Sequence, residues 1–305
     1  MSESVPASEW VADAEVLTWF AERHTARPLD EATPLARWIK MLRLEASRRR
    51  VIESGGSDPA SGKLRTGQAL AYSYDLYAAR ASAWSIRAIH GADAEGRLKR
   101  LDIHASFVGA EFCRADDQST LHLQMPAGIG TLLTAARCAL EGGESLTIFG
   151  SGSPGLDIEW SPESNVRVRF EAKSRAFSAT FNPQRDADDL ARDAVNRMQR
   201  AGRDLRRRSA RDRVRALNAV TFVAIVPSEI SDALVAMDWG NRFQQLESVH
   251  PSRLPQWVVL RWLGLGFDGK SIVARHHQTH HEVLDAEPIP PHRARRSMFR
   301  AMQLA

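Results

Sequence analysis

Residues 155–174 read GLDIEWSPESNVRVRFEAKS, and the fold turns on this stretch. Leu156, Ile158 and Trp160 alternate with Asp157 and Glu159. After residues 161–165 the alternation resumes, with Val166, Val168, Phe170 and Ala172 apolar and Arg167, Arg169, Glu171 and Lys173 polar. Successive side chains of a strand point to opposite faces, so a period of two over both segments reads as a hairpin with one buried and one polar face. A five-residue turn over 161–165 pairs Trp160 with Val166. It sets Asp157 opposite Arg169 and Glu159 opposite Arg167, with Glu171 diagonal to Asp157, typically about 7 to 8 Å away between Cα atoms. Asp157, Glu171 and Lys173 then share the polar face.

Two carboxylates beside an ammonium suit a hard divalent cation, because carboxylate oxygens replace part of its water shell while Mg²⁺ keeps its other waters. Such a site hydrolyses a phosphodiester without His or Cys: the ion acidifies a water, and ion and lysine together offset charge growing on the phosphorus oxygens. The same register also admits a plain ladder of ion pairs, Asp157 with Arg169 and Glu159 with Arg167, each worth about 0.2–1 kcal/mol. Glu159 is the competing acid on the first of the two strands, nearer the turn and further from Glu171.

Outward from the hairpin, residues 128–141 (GIGTLLTAARCALE) place Ile129, Leu132, Leu133 and Ala136 on one helical face, and Gly142-Gly143 stops the helix. A strand over 145–149 follows. Beyond the hairpin, Leu190, Ala194, Met198, Ala201 and Leu205 mark a helix over 186–208. The uncharged, β-branched run AVTFVAIV (219–226) reads as a strand buried on both faces. The order is α-β-β-β-α-β.

That order, with Asp157 on one strand and Glu171-Ala172-Lys173 on the next, resembles the PD-(D/E)XK nuclease superfamily, the restriction-endonuclease-like fold, over roughly residues 128–226. The resemblance implies an α/β protein with a mixed sheet. It also implies a Mg²⁺- or Mn²⁺-dependent deoxyribonuclease in which Asp157, Glu171 and the carbonyl of Ala172 bind the ion and Lys173 orients the attacking water. A catalytically inactive nucleic-acid-binding or scaffold module of the same fold is the alternative. Leu156 stands where the family's proline precedes the aspartate, the nearest proline being Pro154. Gln199 is followed four residues later by Arg203, so the QxxxY signature of the RecB-like branch is absent. Many members add a glutamate from the first helix; Glu141 and Glu144 are placed for it, but neither is assigned.

The chain has 305 residues, 41 Lys and Arg against 37 Asp and Glu, and 43% hydrophobic residues, a globular composition with a small basic excess. That excess is local: residues 197–215 hold nine arginines (197, 200, 203, 206, 207, 208, 211, 213 and 215) against Asp204 and Asp212. Asp186, Asp188, Asp189 and Asp193 precede them, so part of the pattern complements a helix dipole. The density of arginine suits bidentate phosphate contact, and DNA is the expected partner through this segment. A second copy of the chain, or a partner protein of a multi-component system, remains open.

Other patterns are weaker. The loop 54–63 ends in Gly62-Lys63, but Ser57 and Leu64 occupy the positions where a P-loop needs Gly and Ser or Thr. Gly150-Ser151-Gly152-Ser153-Pro154-Gly155 matches GxGxxG, yet a dinucleotide site requires a helix to open there, and LDIEW alternates as a strand. His276, His277, His280 and His281 invite a metal reading only on a helix, whereas the residues before them read as a strand. Cys113 and Cys138 have no CxxC spacing and read as small buried hydrophobes in a reducing compartment. With neither a signal peptide nor a run of about 20 apolar residues, the expected location is the cytoplasm, away from membranes. The expected organisation is an N-terminal helical region (1–97), a nuclease-like domain (98–285) extended by a further hairpin, and a basic C-terminal tail (286–305).

Overall fold

A computed structural model describes residues 5–24, 29–31, 33–57, 66–112, 121–150, 156–176, 182–213, 216–249, 255, 257–267 and 272–282. Cys113, Arg215 and the basic tail lie outside the described residues. Three helices lead the chain: α1 (Ala7–His24), α2 (Pro34–Glu53) and α3 (Thr66–Ala94). Strand β1 (Leu101–Ile103), α4 (Ala105–Glu111) and α5 (Leu121–Glu141) follow. Next come β2 (Ser145–Ile148), β3 (Ile158–Glu163), β4 (Val166–Ala176), α6 (Pro183–Arg211) and β5 (Leu217–Pro227). The chain continues through α7 (Ser228–Val235), α8 (Trp239–Val249), β6 (Trp257–Phe267) and β7 (Ile272–Glu282).

Local chemistry sets the limits of these elements. Thr33 caps α2, its side chain accepting the Ala36 N–H at 3.3 Å, and Asn182 caps α6 by accepting the Arg185 N–H at 3.1 Å; each helix then starts on a proline, which has no N–H to leave unpaired. At the end of α5, Gly142 adopts φ +79°, a left-handed conformation that costs glycine little, and its carbonyl accepts the buried Trp160 indole N–H at 2.9 Å. Helix α5 begins seven residues before the expected start at residue 128, and α6 extends beyond both ends of the expected 186–208.

The seven strands form one mixed sheet whose spatial order is the chain order, β1 to β7. β1 and β2 are parallel, β2-β3-β4 is an antiparallel meander, β4, β5 and β6 are parallel, and β7 turns back antiparallel on β6. Because side chains alternate across a strand, each interior strand feeds two cores. Ile158, Trp160, Val168, Phe170, Ala219, Val259 and Leu263 join a cluster with α5 and, behind it, α1 to α3. Leu156, Val220, Phe222, Ala224, Leu260 and Trp262 join a second cluster under α6 and α7. All of β5 except its last residue is buried, as its continuous apolar run requires. Gly130 lets α5 approach the sheet directly behind the Glu171-Ala172-Lys173 segment, since a Cβ there would lie 2.7 Å from Val223 Cγ2.

The GxGxxG reading fails on this architecture. No helix opens at Leu156; the chain enters β3 at Ile158, so no helix N-terminus is offered to a pyrophosphate. Among the described residues no helix is long and apolar enough to cross a membrane.

Candidate functional site

The hairpin differs from its expected register in a way that matters for the site. β3 continues through Pro162 to Glu163, and the turn is the two residues Ser164 and Asn165 rather than 161–165. Glu163 pairs with Val166, and a register shift between Trp160 and Glu163 leaves Ser161 and Pro162 opposite the single Arg167. This is a β-bulge, which also explains how a proline is tolerated within the strand. Beyond it Trp160 pairs with Val168, not Val166, and Glu159, not Asp157, stands opposite Arg169.

Two consequences follow for the acids. Glu159 is occupied by bases: Arg169 Nε donates to its Oε2 at 2.8 Å, and Arg167 lies 3.7 Å from its Oε1. Asp157, released from that pairing, sits at the level of Glu171. Its N–H donates to the Phe170 carbonyl at 2.9 Å, and its Oδ2 accepts the Ala172 N–H at 2.6 Å, so its hydrogen bonds straddle Glu171. Lys173 forms an ion pair with Glu171 through Nζ and Oε1. Asp157, Glu171, the Ala172 backbone and Lys173 are thus together on the face that α6 covers. Glu144, by contrast, is paired with Lys99 at 2.7 Å beside the opposite end of β2, remote from Asp157, and Glu141 closes α5 in the same region.

Glu171 is buried, while Asp157 and Lys173 are half-buried. Burial is the largest influence on the Asp157 carboxyl and pushes it above the ordinary carboxylate range, although the Ala172 amide and Lys173 pull the other way. Burial likewise raises Glu171; Lys173 opposes this, while Asp157 and Asp204 of α6 add to it by repulsion. Glu171 Oε2 is enclosed and has no hydrogen-bond partner among the described residues. An enclosed carboxylate oxygen without a donor costs about 1–3 kcal/mol or more, and a divalent cation would satisfy it while neutralising the two acids. The residues therefore fit a hard ion held by Asp157 and Glu171, with the Ala172 carbonyl and waters to complete its shell. Among the described residues no third His, Cys, Asp or Glu joins them in a metal-sized group.

Next to the acids lies a polar cluster that the sequence did not announce. Arg169 is only 4% exposed, and its guanidinium reaches Glu159, Asp212 (3.1 Å) and Ser209 Oγ (3.3 Å), while Ser209 Oγ donates to Asn218 Oδ1 at 3.2 Å. It ties β3, β4, the C-terminal end of α6 and β5 together beside the acid pair. Asp204 is the other missed residue; the helical wheel of α6, which puts it on the flank, was the available signal.

The arginines of α6 divide by angle. At 100° per residue, Arg200, Arg203, Arg207 and Arg211 fall within about 80° of one another, all exposed. The buried stripe Leu190, Ala194, Met198, Ala201 and Leu205 is on the opposite side. Arg197 pairs with Asp193 at 2.8 Å and Arg208 with Asp212 at 3.4 Å, but no acidic partner faces Arg200, Arg203 or Arg207 among the described residues.

His276, His277, His280 and His281 lie on β7, where residues four apart are about 13 Å from one another along the strand, in register with Leu263, Trp262, Val259 and Val258. His277 stacks on Trp262, ring centroids 5.7 Å apart at 24°. Cys138 is buried and free. No protein-family model, curated protein or solved structure matches the chain.

Proposed function

We propose that this protein is a Mg²⁺- or Mn²⁺-dependent nuclease with a restriction-endonuclease-like core, hydrolysing phosphodiester bonds of DNA. The observation that carries the reading is the juxtaposition of Asp157 and Glu171 on adjacent strands, with an unsatisfied oxygen on Glu171 and Lys173 on the same face. The α5-β2-β3-β4-α6-β5 order, with the meander followed by a parallel β5, supports the core assignment.

When bound, the ion supplies Lewis acidity and charge neutralisation to the phosphodiester. The chain's own residues do the rest. Asp157 and Glu171 would hold the ion, and the Ala172 amide fixes the Asp157 carboxylate so that one of its oxygens is already oriented. Lys173 donates a hydrogen bond to the attacking water and places a positive charge beside the phosphorus oxygens as theirs becomes more negative. Arg200, Arg203 and Arg207, which face no acidic partner among the described residues, offer their guanidinium groups to phosphates outside the scissile bond, on the same helix as Asp204, which acts on Glu171.

Plasmid and linear DNA incubated with pure protein and Mg²⁺ or Mn²⁺ test this. Cleavage by the wild type should fall by at least about 100-fold in Lys173→Ala, and in Asp157→Asn and Glu171→Gln to the same extent. Undiminished cleavage by Lys173→Ala would sink the proposal. The Lys173–Glu171 ion pair taken alone favours a binding module without chemistry; metal-dependent cleavage by the pure protein rules that out.

A further inference from the structure

On the other side of the molecule, α1 ends on His24 and passes beside His90 of α3. The two imidazole centroids are 6.1 Å apart with ring planes at 34°. Both Nε2 atoms are enclosed, and among the described residues neither has a hydrogen-bond partner. The surroundings are aromatic: Phe20 lies 4.7 Å from His24 and 6.5 Å from His90, and Trp19 meets His90 edge-on at 4.7 Å. Two orphaned ring nitrogens on neighbouring helices are unusual, since enclosed polar atoms nearly always find a partner.

We propose that His24 and His90 form a second metal site, one for a late first-row transition ion such as Zn²⁺, which clips the C-terminal end of α1 to α3. The spacing fits. With Zn–N bonds of about 2.0–2.1 Å and a ring centre just over 1 Å beyond each nitrogen, two ligating imidazoles have centroids about 5 to 6.5 Å apart between tetrahedral and linear arrangements. The 6.1 Å separation lies within that span. Imidazole donors favour Zn²⁺, Cu²⁺ or Ni²⁺, whereas Mg²⁺ prefers oxygen, so this site and the Asp157–Glu171 pair select different ions.

Burial, then the neighbouring Arg23, holds His24 below the usual imidazole range; burial, then His24 and Arg23, takes His90 down to about 4, with Asp93 acting in the other direction. Arg23, whose guanidinium lies 5.5 Å from the Trp19 ring centroid, and the exposed Asp93 give the rim one charge of each sign.

Calorimetric titration of Zn²⁺ into the chelator-stripped 305-residue chain carrying Asp157→Asn, which weakens the acid site, tests the inference. One equivalent should bind and raise the melting temperature. Adding His24→Gln or His90→Gln should remove that equivalent and the shift, whereas His277→Gln should leave both. Unchanged stoichiometry and affinity in the His24 and His90 variants overturn the proposal. Should either variant fail to fold, X-ray absorption on the zinc-loaded Asp157→Asn protein decides: two imidazole ligands support the site, and an all-oxygen shell refutes it.

Discussion

Arg169 is a charged side chain almost fully removed from water, and it keeps that position because three groups from two elements satisfy it. Replacing it with Ala leaves Glu159 and Asp212 facing each other across the gap. Both acids retain some solvent, so the cost should sit near the lower end for a broken buried pair, about 3 kcal/mol. A lowered denaturation midpoint at unchanged slope checks this; an unaltered midpoint would show that the cluster contributes nothing. Arg169→Lys should recover little, since one ammonium cannot serve three acceptors spread around a planar fork. At the same scale lies the limit of what the sequence could reveal. Asp157, Glu171 and Lys173 were legible from alternation and type. Which acid faces Arg169 was not, because a bulge at Ser161 and Pro162 moves the register without disturbing the apolar pattern on either side.

Among the elements, α6 does most to connect fold and candidate site. Its apolar stripe was readable from three- and four-residue spacing, and the structure buries that stripe in the cluster it shares with β5, β6 and α7. The arginine density was equally visible, but its division into paired and unpaired residues depended on helix angle and on where the acids fall. If the outward set grips DNA, Arg200→Gln, Arg203→Gln and Arg207→Gln should weaken binding across sequences. The slope of log affinity against log salt should fall by about 0.9 for each arginine that meets a phosphate. Fluorescence anisotropy over a salt series measures both, and an unchanged slope in the triple variant removes this surface from the DNA path. The strands followed a similar logic: β5 announced itself as an uncharged β-branched run, whereas β3 hid its last residues behind Pro162, which reads as a turn residue in isolation.

For the whole molecule, the N-terminal helices were foreseen as a region of their own, ending near residue 97. Their buried side chains, Trp10, Leu17, Trp38, Leu42 and Ile86 among them, belong to the same continuous cluster as Ile129, Trp160 and Phe170. Helix α3 packs along α5, and α5 backs the strands that bear the acids. A chain beginning at residue 98 would therefore expose the outer side of α5 to water, at roughly 25 cal/mol per Å² of apolar surface uncovered. Such a truncation should appear as aggregate on size-exclusion chromatography; a soluble monomer with a cooperative melt would show that α1 to α3 are dispensable. Periodicity could not disclose this dependence, because a helix pattern says which face is apolar and not what that face meets.

The extra residue in β3 also bears on how this gene can change. Between Trp160 and Glu163 one strand carries two residues where its partner carries one, and this offset sets Asp157 beside Glu171. Point substitutions on the outer surface of the hairpin leave that offset intact. A single-codon deletion or insertion at Ser161 or Pro162 would slide one strand past the other by a residue and send alternate side chains to the wrong face. Lineages in which the acids are still used should therefore conserve the length of this segment more strictly than its letters.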